Sequence, residues 1–455
     1  MEGNAMKILL IIPPYVLDEA GRGILPHKAM LPVGPLMVAG LLRDRGHEVS
    51  VLDLVFEQEW KTKVPDEIPD ILLLSCHTPR NIPVCKLLME HLECRWNGRP
   101  YTVLGGNVCL DSGKNDFLKL GLKVDLVVQG FAHYDKLIKA IERKVSGNIT
   151  AYKLDELPLP ALDLIPKATH YRYLEASGDR YPLYGFGIGC AWACNYCTSK
   201  MGLKFTDRAL HMAVQEMRLA KSQGYKEIWC VDNLIMTNPK ICLEFDRELS
   251  RCGMNWSGMA RVENITALPT GYLKQFSALR EIAIGVETAT PEILRNLRRG
   301  AGGSYHNKII KAFDQINAAR IASNAFVILD LPITGEADFW ALWKFLEEAD
   351  PKSVSWSFYN PPVSAVVNRQ IAAHDMGFYR WPFGFSKLPT ERVVQQAMIL
   401  SGTWWDKWTV NRDDPYFESE TEIGVNFLEG RFVQEKSARD PAGDIWCAWR
   451  KGRRI

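Results

Sequence analysis

Short aliphatic strands alternate with helix-length segments in two separate stretches of this 455-residue chain, 6–145 and 181–358, and that alternation restricts the fold more than any other feature. In the first stretch, strands are expected at Lys7–Ile12, Val49–Asp53, Ile71–Ser75, Tyr101–Leu104 and Val124–Val128. Helices are expected near Val33–Arg45, Pro83–Arg95, Asp111–Leu120 and Tyr134–Arg143. Buried strands joined by helices imply a parallel sheet covered on both faces. Such sheets bind ligands outside the carboxyl ends of their strands, here Pro13–Tyr15, Ser75–Arg80, Gly105–Asn107 and Gly130. The second stretch carries six further strand–helix units, with strands near Tyr181–Gly187, Glu227–Val231, Asn255–Met259, Glu281–Gly285, Ala325–Leu329 and Ser353–Phe358. Residues 146–180 form a connector, because DELPLPALDLIP at Asp155–Pro166 is punctuated by prolines that cannot sustain a helix. Residues 359–455 differ from both stretches: they are rich in aromatics, with one amphipathic helix expected at Thr390–Trp408. They read as a small α+β cap whose aromatics pack a core or form a lid that shapes a substrate pocket.

Composition narrows the class. With 24% charged and 47% apolar residues and a net charge of +2, the chain has no global footprint for nucleic acid or a membrane surface. The early KILLIIPPY is too short to span a bilayer and ends in a proline pair, so it reads as a first buried strand. Eleven cysteines at irregular spacing do not make a secreted disulfide scaffold, and a reducing, oxygen-poor cytoplasm is the expected compartment.

Three of those cysteines, Cys190, Cys194 and Cys197, stand in GIGCAWACNYCTSK with C-x3-C-x2-C spacing, just after an expected strand. Three thiolates within eight residues can wrap one compact soft-metal site. A structural zinc site takes four protein ligands, and a distant fourth ligand such as His170 or His211 would complete one. Three cysteines alone suit a cubane iron–sulfur cluster with one iron left open. With the aromatic Tyr196 before the last cysteine, the stretch resembles the motif of the radical S-adenosylmethionine (SAM) enzymes. The resemblance implies a [4Fe-4S] cluster on Cys190, Cys194 and Cys197 whose open iron is chelated by SAM, and a partial (β/α)6 TIM-type barrel over 181–358.

A second resemblance concerns the first stretch. LPVGPLMVAGLLRDRGHEVSVLDL, ILLLSC, TVLGGNV and VDLVVQG together resemble the Rossmann-like (flavodoxin-like) cobalamin-binding domain that precedes many radical SAM barrels. This implies cobalamin contacts from Pro14, Tyr15, Ser75, His77, Arg80, Gly105, Gly106, Asn107 and Gly130. The alternative is the same sheet with glycine turns and no ligand. The family's D-x-H-x-x-G motif is missing: IIPPYVLDEAGRG stands there, so cobalamin is expected base-off without that histidine, with His77 and Arg80 as candidates for the lower face. GFAHYD at Gly130–Asp135 also departs from the family's acidic G-E-G-E.

In the barrel, the resemblance assigns SAM contacts to strand ends: Asp232 in VDN, Arg261 in MARVENIT and Glu287 in IGVETATPEIL, beside Tyr196. Arg261 suits the SAM carboxylate, and Asp232 or Glu287 its ammonium or ribose; ordinary salt bridges at the barrel rim are the alternative. LDLPITGEAD at Leu329–Asp338 resembles the family's G-L-P-G-E-T turn without its first glycine. The implied activity is methyl transfer from methylcobalamin to an unactivated carbon after hydrogen abstraction by a 5′-deoxyadenosyl radical. The substrate is expected to be an amino-acid carbon in a protein, such as glutamine or arginine of methyl-coenzyme M reductase, or a small natural product. A radical cyclase, an enzyme with a vestigial cobalamin fold and a non-catalytic iron–sulfur protein are the other readings. A monomer served by a reductant such as flavodoxin or ferredoxin is expected, and no residue is singled out as catalytic.

Overall fold

The computed structural model describes residues 5–359, apart from 14–15, 18–22, 25–29, 57–59, 78–80, 111, 130–133, 151–157, 166–167, 174–179, 193, 195, 198–205, 300–302, 330 and 332–333. Apart from Tyr359, the expected cap lies outside the described residues, as do Pro14, Tyr15, Arg80 and Gly130.

Six strands build the first sheet: β1 (Lys7–Ile12), β2 (Glu48–Asp53), β3 (Ile71–Ser75), β4 (Tyr101–Gly105), β5 (Leu126–Gln129) and β6 (Gly147–Thr150). They lie in the order β2-β1-β3-β4-β5-β6, every neighbouring pair parallel. Helices α1 (Val33–Asp44), α2 (Asn81–Trp96), α3 (Lys114–Lys119) and α4 (Tyr134–Glu142) make the crossovers. The period of two along each strand explains the continuous apolar runs. Leu9, Ile11, Leu72, Leu74 and Leu104 pack with Leu88, Leu92 and Phe117 of α2 and α3. Ile8, Leu10, Ile12, Leu73 and Val103 belong instead to the core of Leu36, Leu42 and Ile141 from α1 and α4. Each buried Leu or Ile contributes about 1.5–3 kcal/mol. α1 stops where Gly46 takes φ +88° and donates to the Arg43 carbonyl at 2.9 Å, a left-handed cap that glycine adopts without strain.

One strand was not legible. Gly147–Thr150 reads GNIT, too short and polar to stand out, yet it pairs with β5 and carries the first sheet to Thr150, into the stretch read as connector. The connector itself is anchored on the sheet. Tyr171 is fully buried and its hydroxyl donates to both carboxylate oxygens of Asp53 at the end of β2, at 3.2 and 3.1 Å.

The second sheet contains β7 (Arg180–Leu183), β8 (Glu227–Cys230), β9 (Asn255–Ala260), β10 (Leu279–Glu287), β11 (Ala322–Leu329) and β12 (Ser353–Phe358). All are parallel and adjacent in chain order, with helices α5 (Leu210–Ser222), α6 (Pro239–Arg251), α7 (Val262–Thr266), α8 (Pro291–Asn296), α9 (Gly303–Ala318) and α10 (Glu336–Ala349) in the connections. Repeated right-handed βα units of this kind roll into a partial barrel.

A polar layer crosses the amino-terminal half of that barrel. Arg180 bridges Glu227 at 3.1 Å and Glu281 at 3.2 Å, while Asn324 donates to Glu281 and to Ser355, both at 3.1 Å. Ser257 donates to Glu227. The lone guanidinium ties β7 to β8 and β10, far along the strands from the end where barrel chemistry collects.

Candidate active site

At the carboxyl end of β7 the chain leaves the sheet after Leu183, four residues before the Gly187 expected from the sequence. The cause lies on the loop after β8. Asp232 is buried, and its carboxylate accepts from the backbone N–H groups of Gly185 at 2.7 Å, Phe186 at 2.8 Å and Gly187 at 2.7 Å. Next door, Asn233 Oδ1 accepts from the Gly189 N–H at 2.8 Å. From the other side, the buried Arg208 donates to the Tyr184 carbonyl at 2.6 Å and pairs with Glu216 at 2.8 Å, and Glu216 also accepts from the Tyr181 hydroxyl at 3.2 Å. Gly187–Ile188 then pairs antiparallel with Thr206–Asp207. The segment that delivers the cysteines is thus pinned from two sides.

The oxygens of Asp232, expected to meet the SAM ammonium or ribose, are engaged here by the chain itself. Burial pushes its carboxyl up to about 6, against the pull of the three N–H groups.

Cys194 is buried, and Cys190 and Cys197 are half-buried; the Cys197 N–H donates to the Cys194 carbonyl at 3.3 Å. Burial pushes the Cys190 thiol up, and Cys197 and Cys194 add to the rise. Binding of metal by such a thiol releases its proton. Among the described residues, no three His, Cys, Asp or Glu side chains converge as the ligands of a single metal ion do. A cubane takes each thiolate on a different iron, so its ligands need not meet at one point.

Around Cys194 the other strand ends close in. Arg261, at the end of β9, is buried; its Nε and Nη2 grip Glu263 at 2.9 and 3.0 Å, and Nη2 also donates to the Arg299 carbonyl at 3.2 Å. Its Nη1 donates to Cys194 Sγ at 3.3 Å, and the guanidinium lies 3.9 Å from the centroid of the Trp192 ring. Glu287 ends β10 at a register shift and holds φ +63°, a left-handed conformation rare for a glutamate. That turn aims its carboxylate at the cysteine loop, where the Tyr196 hydroxyl donates to Oε1 at 2.6 Å. Arg299 faces the same oxygen at 3.4 Å and donates to the Gly285 carbonyl. Any Cβ at residue 285 would stand 2.6 Å from Arg299 Nη2, so the pair requires glycine there.

The structure therefore brings Tyr196, Arg261 and Glu287 together at the cysteine loop, while Asp232 holds the backbone at Gly185–Gly187. Sequence reading missed Trp192, Arg208, Glu216 and Arg299. Arg299 carried one faint signal, the dibasic LRRG after α8; Arg208 and Glu216 carried none.

On the first sheet, Ser75, His77, Gly105, Gly106 and Asn107 share the carboxyl edge of β3 and β4. His77, Gly106 and Asn107 are exposed and Ser75 is half-buried. The His77 N–H donates to Asn81 Oδ1 at 3.2 Å, which starts α2. The two glycines differ. A Cβ on Gly105 would meet nothing closer than Val128 at 4.0 Å, so that surface is open. Gly106 holds φ +113°, and a Cβ there would lie 2.7 Å from the Cys76 carbonyl carbon. Its glycine is required by the neighbouring strand end.

No protein-family model matches the chain. Over 433 residues it is 25% identical to the anaerobic magnesium-protoporphyrin IX monomethyl ester cyclase of Synechocystis sp., covering 88% of this chain and 80% of the relative. It is 22% identical to the bacteriochlorophyllide d C-12(1)-methyltransferase of Chlorobaculum tepidum over 54% of this chain and 56% of that one. Among solved structures, the radical SAM methyltransferase TsrM from Kitasatospora setae, seen with cobalamin and a [4Fe-4S] cluster, superposes with a TM-score of 0.59 at 14% identity, covering 80% of this chain and 75% of TsrM. The likeness to TsrM bears out the α/β fold class, and the relatives bear out the family resemblance drawn from the cysteine triplet.

Proposed function

We propose, for a chain that its cysteine triplet, fold and relatives make one of the radical SAM enzymes, that it is a cobalamin-dependent methyltransferase acting on an unactivated carbon of a small molecule. One observation carries the reading: a single chain joins a pinned three-cysteine loop at the carboxyl end of the barrel's first strand to a sheet whose strand order reverses between β1 and β3. Such reversals open the crevice in which doubly wound sheets bind ligands.

Both groups fit the residues present. Three thiols on one loop suit three irons of a cubane and leave the fourth for SAM. The open surface at Gly105, beside exposed His77 and Asn107, suits a flat cofactor. When bound, the cluster would supply the electron that cleaves SAM, and cobalamin the methyl group. The chain's own work is holding and orienting. Cys190, Cys194 and Cys197 hold the cluster, and Asp232, Asn233 and Arg208 fix the loop that carries them. Glu287 and Arg299 lock Tyr196, and with it the last turn of that loop. Ser75, His77, Gly105, Gly106 and Asn107, with Pro14, Tyr15, Arg80 and Gly130, would hold cobalamin, His77 and Arg80 standing in for the missing histidine.

Support for a small molecule comes from the relative that matches 88% of the chain, whose name carries a porphyrin ester, from one named for a bacteriochlorophyllide, and from TsrM, seen with tryptophan; a ribosomal protein uS12 methylthiotransferase of Thermus thermophilus, 35% identical over 54% of this chain, names a protein instead. Among the described residues no helix is long and apolar enough to cross a membrane. A flavodoxin- or ferredoxin-type reductant would supply the electron. A second reading, ring closure without methyl transfer, has its own support in the cyclase that matches 88% of the chain.

Anaerobic reconstitution with iron, sulfide and hydroxocobalamin tests the proposal, read by ultraviolet–visible and electron paramagnetic resonance spectra. The expected result is a four-iron cluster whose signal changes on adding SAM, with stoichiometric base-off cobalamin, both judged against a Cys190→Ala/Cys194→Ala/Cys197→Ala variant without the cluster. Turnover then separates the readings. Methyl transfer releases S-adenosylhomocysteine as well as 5′-deoxyadenosine, whereas ring closure releases 5′-deoxyadenosine alone. A cluster without cobalamin removes methyl transfer.

A further inference from the structure

We propose that Arg261 sets the reduction potential of the cluster by holding a desolvated guanidinium against the sulfur of Cys194, an inference that rests on the triplet being the cluster's ligand set. The expectation for Arg261 was a partner for the SAM carboxylate. Its hydrogen bonds point elsewhere. Nε and Nη2, the edge that would grip a carboxylate in a two-bond fork, are already taken by Glu263, and Nη2 bonds the Arg299 carbonyl as well. Nη1 remains, and it donates to Cys194 Sγ at 3.3 Å.

The surroundings make that contact count. Arg261 is 2% exposed, and the Trp192 ring covers it at 3.9 Å. Trp192 lies between Cys190 and Cys194, so the cysteine loop supplies both the sulfur and the lid over the cation. With water excluded, a unit charge acts on its neighbour through a low effective dielectric. Glu263 balances the charge from the opposite edge of the guanidinium, where its side chain is 26% exposed against 3% for Arg261. The positive end is therefore both nearer the sulfur and less screened. A cluster that gains an electron gains negative charge, so this arrangement favours the reduced form and raises the potential; hydrogen bonds to the sulfurs act in the same direction.

The test is a redox titration of the reconstituted full-length protein, monitored by electron paramagnetic resonance, without SAM. Arg261→Gln keeps a donor near Cys194 but removes the charge, and Glu263→Gln removes the counter-charge. Arg261→Gln is expected to disfavour reduction by about tenfold, which lowers the one-electron midpoint by about 59 mV. Glu263→Gln is expected to move it the other way, and Arg261→Lys to lie between wild type and Arg261→Gln. Loosening of the loop would not give opposite signs for the two partners of one ion pair. Midpoints that stay together, or that shift in one direction for both partners, overturn the proposal while leaving the cluster assignment intact. If Arg261→Gln fails to assemble a cluster, Arg261→Lys and Glu263→Gln decide by the same opposition of sign. A wild-type protein that takes up no four-iron cluster overturns the ligand-set reading and this inference with it.

Discussion

Replacing Asp232 by alanine tests whether the cysteine loop is held from below. The carboxylate accepts three backbone N–H bonds, from Gly185, Phe186 and Gly187. Burial opposes these bonds, and the carboxyl's rise from 3.8 to about 6 already records the balance of the two, about 3 kcal/mol against the ionised form at neutral pH. Alanine instead takes the acceptor away from three backbone N–H groups, at about 1–3 kcal/mol for each that stays unsatisfied, so Asp232→Ala is expected to cost about 3 kcal/mol or more, and the freed strand end no longer presents Cys190 and Cys194 in one geometry. Denaturant unfolding followed by tryptophan fluorescence measures the first effect; iron and sulfide content after anaerobic reconstitution measures the second. Wild-type stability with full iron loading would refute the clamp. Full loading with SAM affinity alone reduced would return Asp232 to the ligand-facing role expected from the motif.

Three further outcomes follow from the same geometry. The stability of wild type relative to Asp232→Asn depends on pH: because the folded carboxyl is raised, the folded state holds a proton that the unfolded state has lost between about pH 4 and 6. Wild type therefore loses up to about 3 kcal/mol across that window, relative to the variant, and parallel stability curves from pH 4 to 7 would contradict this. Arg180→Met removes the cation from the half-buried Glu227 and the buried Glu281 and is expected to cost about 1–3 kcal/mol in urea unfolding, the range for a charged hydrogen-bonding group that loses its partner; unchanged stability would mean that Ser257 and Asn324 suffice to hold the two carboxylates. Gly106→Ala forces a side chain to φ +113° against the Cys76 carbonyl, for about 1–3 kcal/mol of strain, and is expected to reduce cobalamin uptake while leaving iron content unchanged; unchanged uptake would separate this strand end from the crevice.

What could be read from the residues depended on whether one element sufficed to specify them. Lys7–Ile12 and Ile71–Ser75 were legible to the residue, because a strand covered on both faces writes its burial into nearly every position, and Ser353–Phe358 because SVSWSF alternates polar and apolar along a strand. Gly147–Thr150 was not: an edge strand of four residues takes its place from β5, and its own side chains say little. The site divides along the same line. The spacing of Cys190, Cys194 and Cys197 is a local property of one loop and was plain. Strand-end motifs marked Asp232, Arg261 and Glu287 as positions that matter, but which way each side chain turns is decided by partners 45 to 91 residues away: Gly185–Gly187 for Asp232, Cys194 for Arg261, Tyr196 for Glu287. Charge sharpened the difference. A buried carboxylate must find donors, and Asp232 finds them in backbone that the sequence pattern assigns to a strand, which is why β7 ends early. Arg261 and Glu287 end the next two strands, β9 and β10, where their side chains reach the cysteine loop's own Cys194, Trp192 and Tyr196. The loop is thus gripped by its backbone on one side and read by charged side chains on the other, and only the second set is free to tune what the cysteines hold.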